Sequence, residues 1–72
     1  MQLKWSEFIP GKVWQAEGHK GVYLVRPVIM DALYLMPKGE PLCPVNPDRA
    51  LRFVFTNDGM RTAQEWEDDN AP

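Results

Sequence analysis

A chain of 72 residues and 8.3 kDa has room for one small domain and none for a large multi-part enzyme. Eight basic residues against ten acidic ones leave a net charge of −2, which does not supply the basic field that strong non-specific nucleic-acid binding needs. Cys43 is the single cysteine, so a disulfide framework is excluded and a reducing compartment is expected.

Hydrophobic residues make up 44% of the chain, enough for a core. A domain this short buries only ~60% of its unfolded surface, so its stability is expected to be marginal. Residues 1–10, MQLKWSEFIP, lack the apolar run of a secretory leader. The most apolar stretch, residues 22–36, is broken by Arg26, Pro27 and Asp31 and is too short to cross a bilayer. A soluble, cytoplasmic protein without membrane contact is the expectation.

The first candidate element is a strand over residues 3–8, closed by Pro10-Gly11. Residues 12–17 (KVWQAE) alternate, with Trp14 and Ala16 on one face and Val13 and Gln15 on the other. Gly18-His19-Lys20-Gly21 follows as a short polar loop, in which glycine can supply the positive φ of a tight hairpin. Residues 22–28 (VYLVRPV) are rich in β-branched and aromatic residues and read as the returning strand. Pro27 lacks an N–H and belongs at its end or on an edge. Met30-Asp31 is a turn, and residues 32–36 (ALYLM) are the next strand.

Residues 37–50 hold prolines 37, 41, 44 and 47, which exclude a helix there. Such a long connection either crosses the sheet edge or serves as a binding loop. Residues 51–56 (LRFVFT) alternate again, Leu51, Phe53 and Phe55 sharing a face. A helix over about residues 58–69 closes the chain. Thr56 or Asn57 is its expected cap, and Asp58 sits near its positive end. Its apolar stripe runs through Met60 and Ala63 to Trp66 or Glu67. Asp68 and Asp69 oppose the dipole at the C-terminus, so the last turn should fray.

Charge is divided unevenly. Residues 1–38 carry five basic and three acidic residues, a net of +2; residues 39–72 carry three and seven, a net of −4. The acidic excess sits in EWEDD, residues 65–69, a solvated helix end whose carboxylates do not face one another.

No catalytic constellation emerges. His19, the single histidine, falls in a hairpin loop without an adjacent nucleophile. Cys43 lies between Leu42 and Pro44 without a cation to lower its pKa. One Cys and one His cannot complete a zinc site. GHKG is followed by a strand rather than a helix and is no phosphate loop. No cofactor, no metal and no enzymatic activity are expected.

The apolar residues carry the functional inference. Trp14, Ala16, Tyr23, Val25, Phe53, Phe55, Ala63 and Trp66 are assigned to the sheet face under the helix. Val13, Val22, Leu24, Leu33, Leu35 and Val54 then line the other face, which one helix cannot cover. The proline-rich connection, a second copy or a partner protein could cover that face, and it is the expected interface with a protein partner or with a second copy. An alternative is a single-stranded nucleic-acid-binding module in which exposed aromatics stack bases and Lys4, Lys12, Lys20 and Arg26 contact phosphates.

The order Trp14-x-Ala16, a glycine-bounded turn, Gly21-x-Tyr23-x-Val25, a short strand, and Phe55 leading to Ala63-x-x-Trp66-x-Asp68 spans about residues 12–69. It resembles small uncharacterised phage and prophage proteins built as a strand meander followed by one helix. The chain departs from them in Trp66, where a small residue is usual, and in its proline-rich stretch. The resemblance implies an accessory factor that binds a host protein and has no chemistry of its own. The expected fold is α+β: an antiparallel meander of three to four strands with one C-terminal helix on one face. The expected function is that of a non-enzymatic accessory protein, a phage-derived modulator or inhibitor of a host enzyme or defence complex. A homodimerising structural protein is a further alternative.

Overall fold

The computed structural model describes residues 1–39 and 47–70. The strands are β1 (Ser6–Ile9), β2 (Val13–Glu17), β3 (Gly21–Pro27), β4 (Asp31–Pro37) and β5 (Arg52–Thr56). A 3-10 turn, Pro47–Arg49, precedes β5, and helix α1 (Gly59–Asn70) follows it. All strands pair antiparallel in chain order, β1-β2-β3-β4-β5. The fold is the expected α+β meander with a C-terminal helix, but its sheet has five strands among the described residues, where three to four were expected. The proline-rich stretch falls largely on residues 40–46, outside the described residues, and Cys43 with it.

β1 joins β2 through a specific turn. Lys12 N donates to Ile9 O at 2.9 Å, with Pro10 at the second position and Gly11 (φ 71°) at the third. Proline followed by a positive-φ glycine is the signature of a type II turn. Glu7 Oε2 accepts from Gly11 N at 2.6 Å and braces it. The pairing shifts between Glu7 and Ile9, so β1 is a short, bulged edge.

Register divides the apolar residues between two clusters. Leu3, Ala16, Tyr23, Val25, Leu33 and Leu35 are buried with Ala63 and Trp66 of α1, and Trp5, Val54 and Met60 pack on them. Val13, Leu24, Ala32, Tyr34 and Met36 form the second cluster, closed in by Phe8, Val22, Ala50 and Phe53. Ala16, Tyr23, Val25, Ala63 and Trp66 are where the sequence put them, and by register Trp14, opposite Val25, shares their face. β4 and β5 are corrected by one residue. Leu33 and Leu35 pair with Val25 and Tyr23, and Val54 pairs with Leu33, so all three lie under the helix. Phe53 and Phe55, opposite Tyr34 and Ala32, lie on the other face. The physical reason is that the middle of β4 reads ALYLM. A run apolar at every position carries no alternation, and a one-residue slip exchanges its faces.

The helix start is held from two sides. Asp58, rather than Thr56 or Asn57, is the cap: its Oδ1 accepts from Arg61 N at 3.2 Å. Asp31 of β4 reaches across to accept from Gly59 N at 2.7 Å. The space at Gly59 is tight, since a Cβ there would stand 2.9 Å from Val25 Cγ1. At the other end, Asn70 Nδ2 donates to Trp66 O at 2.8 Å, so the final turn that was expected to fray is helical. Gln64 ties down the N-terminal segment, accepting from Leu3 N at 2.9 Å and donating to Met1 O at 2.7 Å. Asp31→Ala removes one of the two acceptors at the helix N-terminus. It is expected to cost about 1 kcal/mol, read as a lower urea midpoint with an unchanged m-value.

Candidate functional site

Two features stand out once the elements are in place. The first is a buried carboxylate. Glu67 lies four residues after Ala63, on the face of α1 that meets the sheet, and is 0% exposed. Its oxygens accept from His19 N at 3.0 and 3.1 Å and from Tyr23 OH at 3.2 Å, and they pair with His19 Nδ1. The last turn of the helix is thereby locked onto the β2–β3 hairpin.

The flanking glycines make room for this contact. A Cβ on Gly18 would collide with Tyr23 Cε2 and Glu67 Oε1. Neither Gly18 nor Gly21 has positive φ; among the described residues only Gly11 and Gly39 do. The glycines of GHKG are therefore required for close approach, where positive φ was expected.

Burial pushes the Glu67 carboxyl up. Hydrogen bonds from the His19 side chain and backbone, that from Tyr23, and the His19 charge outweigh it, so its pKa lies below the ordinary value. Tyr23 moves the other way. Burial, then the Glu67 charge and hydrogen bond, push it up to about 12, against a smaller lowering by Arg52. A phenol with a raised folded pKa stabilises fully below its unfolded value of 10.0 and loses that contribution as pH rises through the folded value. Stability should thus fall between about pH 10 and 12. Tyr23→Phe should flatten that limb in urea titrations run across the same range.

His19 is 39% exposed in its side chain. An imidazole held at Nδ1 by a carboxylate is oriented as a general base is. Among the described residues, however, no hydroxyl or thiol shares a hydrogen bond with it, and its bonds all run to Glu67. The chemistry on view is a tie between loop and helix. Sequence reasoning treated His19 as a plain turn residue. The available signal was that Glu67 falls on the helix stripe, a charged residue at a core position that must find a partner.

The second feature is apolar. Large apolar side chains left exposed among the described residues are Met1, Ile9, Val28, Ile29, Met30, Leu51 and Phe55. Five of these seven lie along β5 or at the β3–β4 turn beside it. Val28, Ile29, Met30 and Phe55 line an open hollow of about 320 Å³, and Ile29 is 103% exposed. Behind Phe55, aromatic rings step inward across the second face. Phe55 meets Phe53 edge-on at 5.1 Å between centroids, and Phe53 meets Tyr34 at 4.8 Å. On the helix side of the same strand, the Arg52 guanidinium lies 4.0 Å over the Trp66 ring.

The expected interface residues fare differently. Val13 and Leu24 are buried inside the second cluster, with Val22 half-buried at its rim. Leu33 and Leu35 are buried under the helix with Val54 packed on them. The uncovered apolar surface is therefore the β5 edge and the neighbouring turn, and the centre of the second face is closed within the chain.

The candidate phosphate contacts do not gather. Lys12 and Lys20 flank β2 at opposite ends, about 15–20 Å apart at 3.3 Å per residue. Arg26 sits on the second face opposite Ala32. Lys4 lines a separate open depression of about 620 Å³ with Gln2, Ser6 and Gln15.

Among the described residues no group of three or more His, Cys, Asp or Glu is placed to hold a metal ion, and no helix is long and apolar enough to cross a membrane. No family model, curated protein or solved structure matches this chain.

Proposed function

We propose that this protein is a small, non-enzymatic accessory module that works by binding another protein chain. Its contact surface on this reading is the β5 edge with the β3–β4 turn, in place of the sheet face inferred from the sequence alone. The observation that carries the reading is the full exposure of Ile29 beside the half-exposed Phe55. Isolated apolar residues on a surface are ordinary, but a contiguous group at the tip of a turn next to the edge strand of the described sheet is the pattern of a contact site. The likeness to phage and prophage accessory factors implies a host enzyme or defence complex as the partner.

A photo-crosslinking side chain placed at position 55, compared with one at the exposed helix position 65, tests this in cells. Discrete protein adducts should form from 55 and not from 65, and Ile29→Asp should abolish them. Equal labelling from both positions, or none from 55, overturns the reading.

A further inference from the structure

We infer that β5 pairs antiparallel with β5 of a second copy of this chain, about a two-fold axis at Val54. This rests on the reading that the edge is a protein contact, and it names the partner.

The two edges of the sheet are unlike. β1 is short and bulged between Glu7 and Ile9, and it runs directly into Pro10, all devices that blunt an edge. β5 has neither bulge nor proline within Arg52–Thr56, and half of its backbone N–H and C=O groups point away from β4. Its sequence, RFVFT, is symmetric about Val54 in its apolar residues.

Antiparallel pairing centred there sets Val54 opposite Val54, Phe53 opposite Phe55, and Arg52 opposite Thr56. Residues directly opposite share a face, so both phenylalanines of each copy fall on the second face and both valines on the helix-bearing face. No like charges oppose each other. The aromatic steps Tyr34–Phe53–Phe55 then continue without a break into the second copy. Leu51, 58% exposed and on the same face as Phe53 and Phe55 by alternation, is carried towards the hollow at Ile29 of the second copy.

The areas are of the right order. An aromatic side chain buries ~150–250 Å² when fully enclosed. Phe55 is 56% exposed, and with Leu51 and the Val28–Met30 turn the apolar surface is on the order of 500 Å² per copy, before the strand backbone is added. Stable interfaces bury about 800 Å² per partner, so the dimer should be of moderate strength and depend on concentration. It is isologous, as a two-fold contact must be.

Two measurements on the purified full chain test this. Sedimentation over a hundredfold range of concentration should show a shift from 8.3 kDa towards twice that mass. Phe55→Asp should weaken dimerisation at least tenfold while leaving the far-ultraviolet circular dichroism spectrum of the folded chain unchanged.

The register is read separately. In a Cys43→Ser background, Val54→Cys should form a disulfide-linked dimer under mild oxidation. Opposed residues stand ~4.5–5.5 Å apart at Cα, within disulfide range. Phe55→Cys, which faces position 53 and not itself, should crosslink far more slowly.

A chain that stays monomeric at every concentration overturns the inference. So does a dimer that survives Phe55→Asp and fails to crosslink at position 54. If the chain is monomeric yet position 55 yields adducts with a different protein, the self-pairing fails and the protein-binding reading stands. If position 55 yields no adduct at all, both fall.

Discussion

Glu67→Ala is expected to destabilise the fold by about 2–4 kcal/mol, the cost of leaving part-buried and buried donors without their acceptor. The carboxylate is the acceptor for His19 N and Tyr23 OH and the partner of His19 Nδ1. Alanine strands those groups in a space that water does not fill freely, and each unsatisfied donor costs about 1–3 kcal/mol. For a 72-residue domain stabilised by about 0.05–0.15 kcal/mol per residue, this removes a large share of the folding free energy.

Glu67→Gln keeps the shape and one acceptor oxygen, so a smaller loss, about 1–2 kcal/mol, is expected. The two variants also differ in pH dependence. A carboxyl whose folded pKa is depressed stabilises above its unfolded value of 4.5 and loses that contribution as pH falls through the folded value. The wild-type chain should therefore lose stability below about pH 4.5, whereas the Gln variant should lack that part of the acid limb. Urea midpoints from pH 3 to 7 measure both effects. An acid limb that is the same in the Gln variant would show that Glu67 is not ionised in the fold.

Gly21→Ala carries the second large effect, about 3 kcal/mol or more. Gly21 opens β3 opposite Pro37, and a Cβ there would fall on the carbonyl oxygen of Met36. A Cβ carbon essentially never comes within 3.0 Å of such an atom. The obstacle is backbone in the central strand pair, which cannot swing aside as a side-chain tip can. Overpacking against movable neighbours costs about 1–3 kcal/mol, and this site should lie at or beyond the upper end. At ~4–8 °C per kcal/mol for a domain of this size, the melting temperature should drop by more than 12 °C. Lys20→Ala, one residue away and exposed, is the control and should stay within about 0.5 kcal/mol. An alanine at position 21 that melts with the wild type would mean the top of the β3–β4 ladder opens at little cost.

Local signals account for most of the architecture. Alternation in KVWQAE, β-branched residues in VYLVRPV, the Pro10-Gly11 and GHKG punctuation, and the Met60–Ala63–Trp66 stripe are each short-range patterns, and the elements they mark are present. The facing of Ala16, Tyr23 and Val25 was legible because β2 alternates cleanly and is joined to β3 by only a short loop. β4 was not legible in the same way, because its apolar residues leave both registers equally plausible until Val25 and Tyr23 choose one.

The candidate sites were less visible still. Glu67 and His19 stand 48 residues apart, and neither has a local reason to seek the other. Asp31 meets Gly59 across 28 residues for the same reason. The apolar edge was hidden by a counting argument: the sequence shows an excess of apolar residues over what one helix can cover, but not where the excess emerges. By itself the sequence determined the fold class, the strand punctuation and the apolar surplus, because each depends on periodicity or composition. The tertiary structure alone decided which face each β4 and β5 residue takes, which carboxylate is buried, and that the surplus surfaces at β5 and the Ile29 turn. Those outcomes depend on strand register and on contacts between distant residues, where a one-residue slip or a single long-range hydrogen bond changes the answer without changing any local pattern.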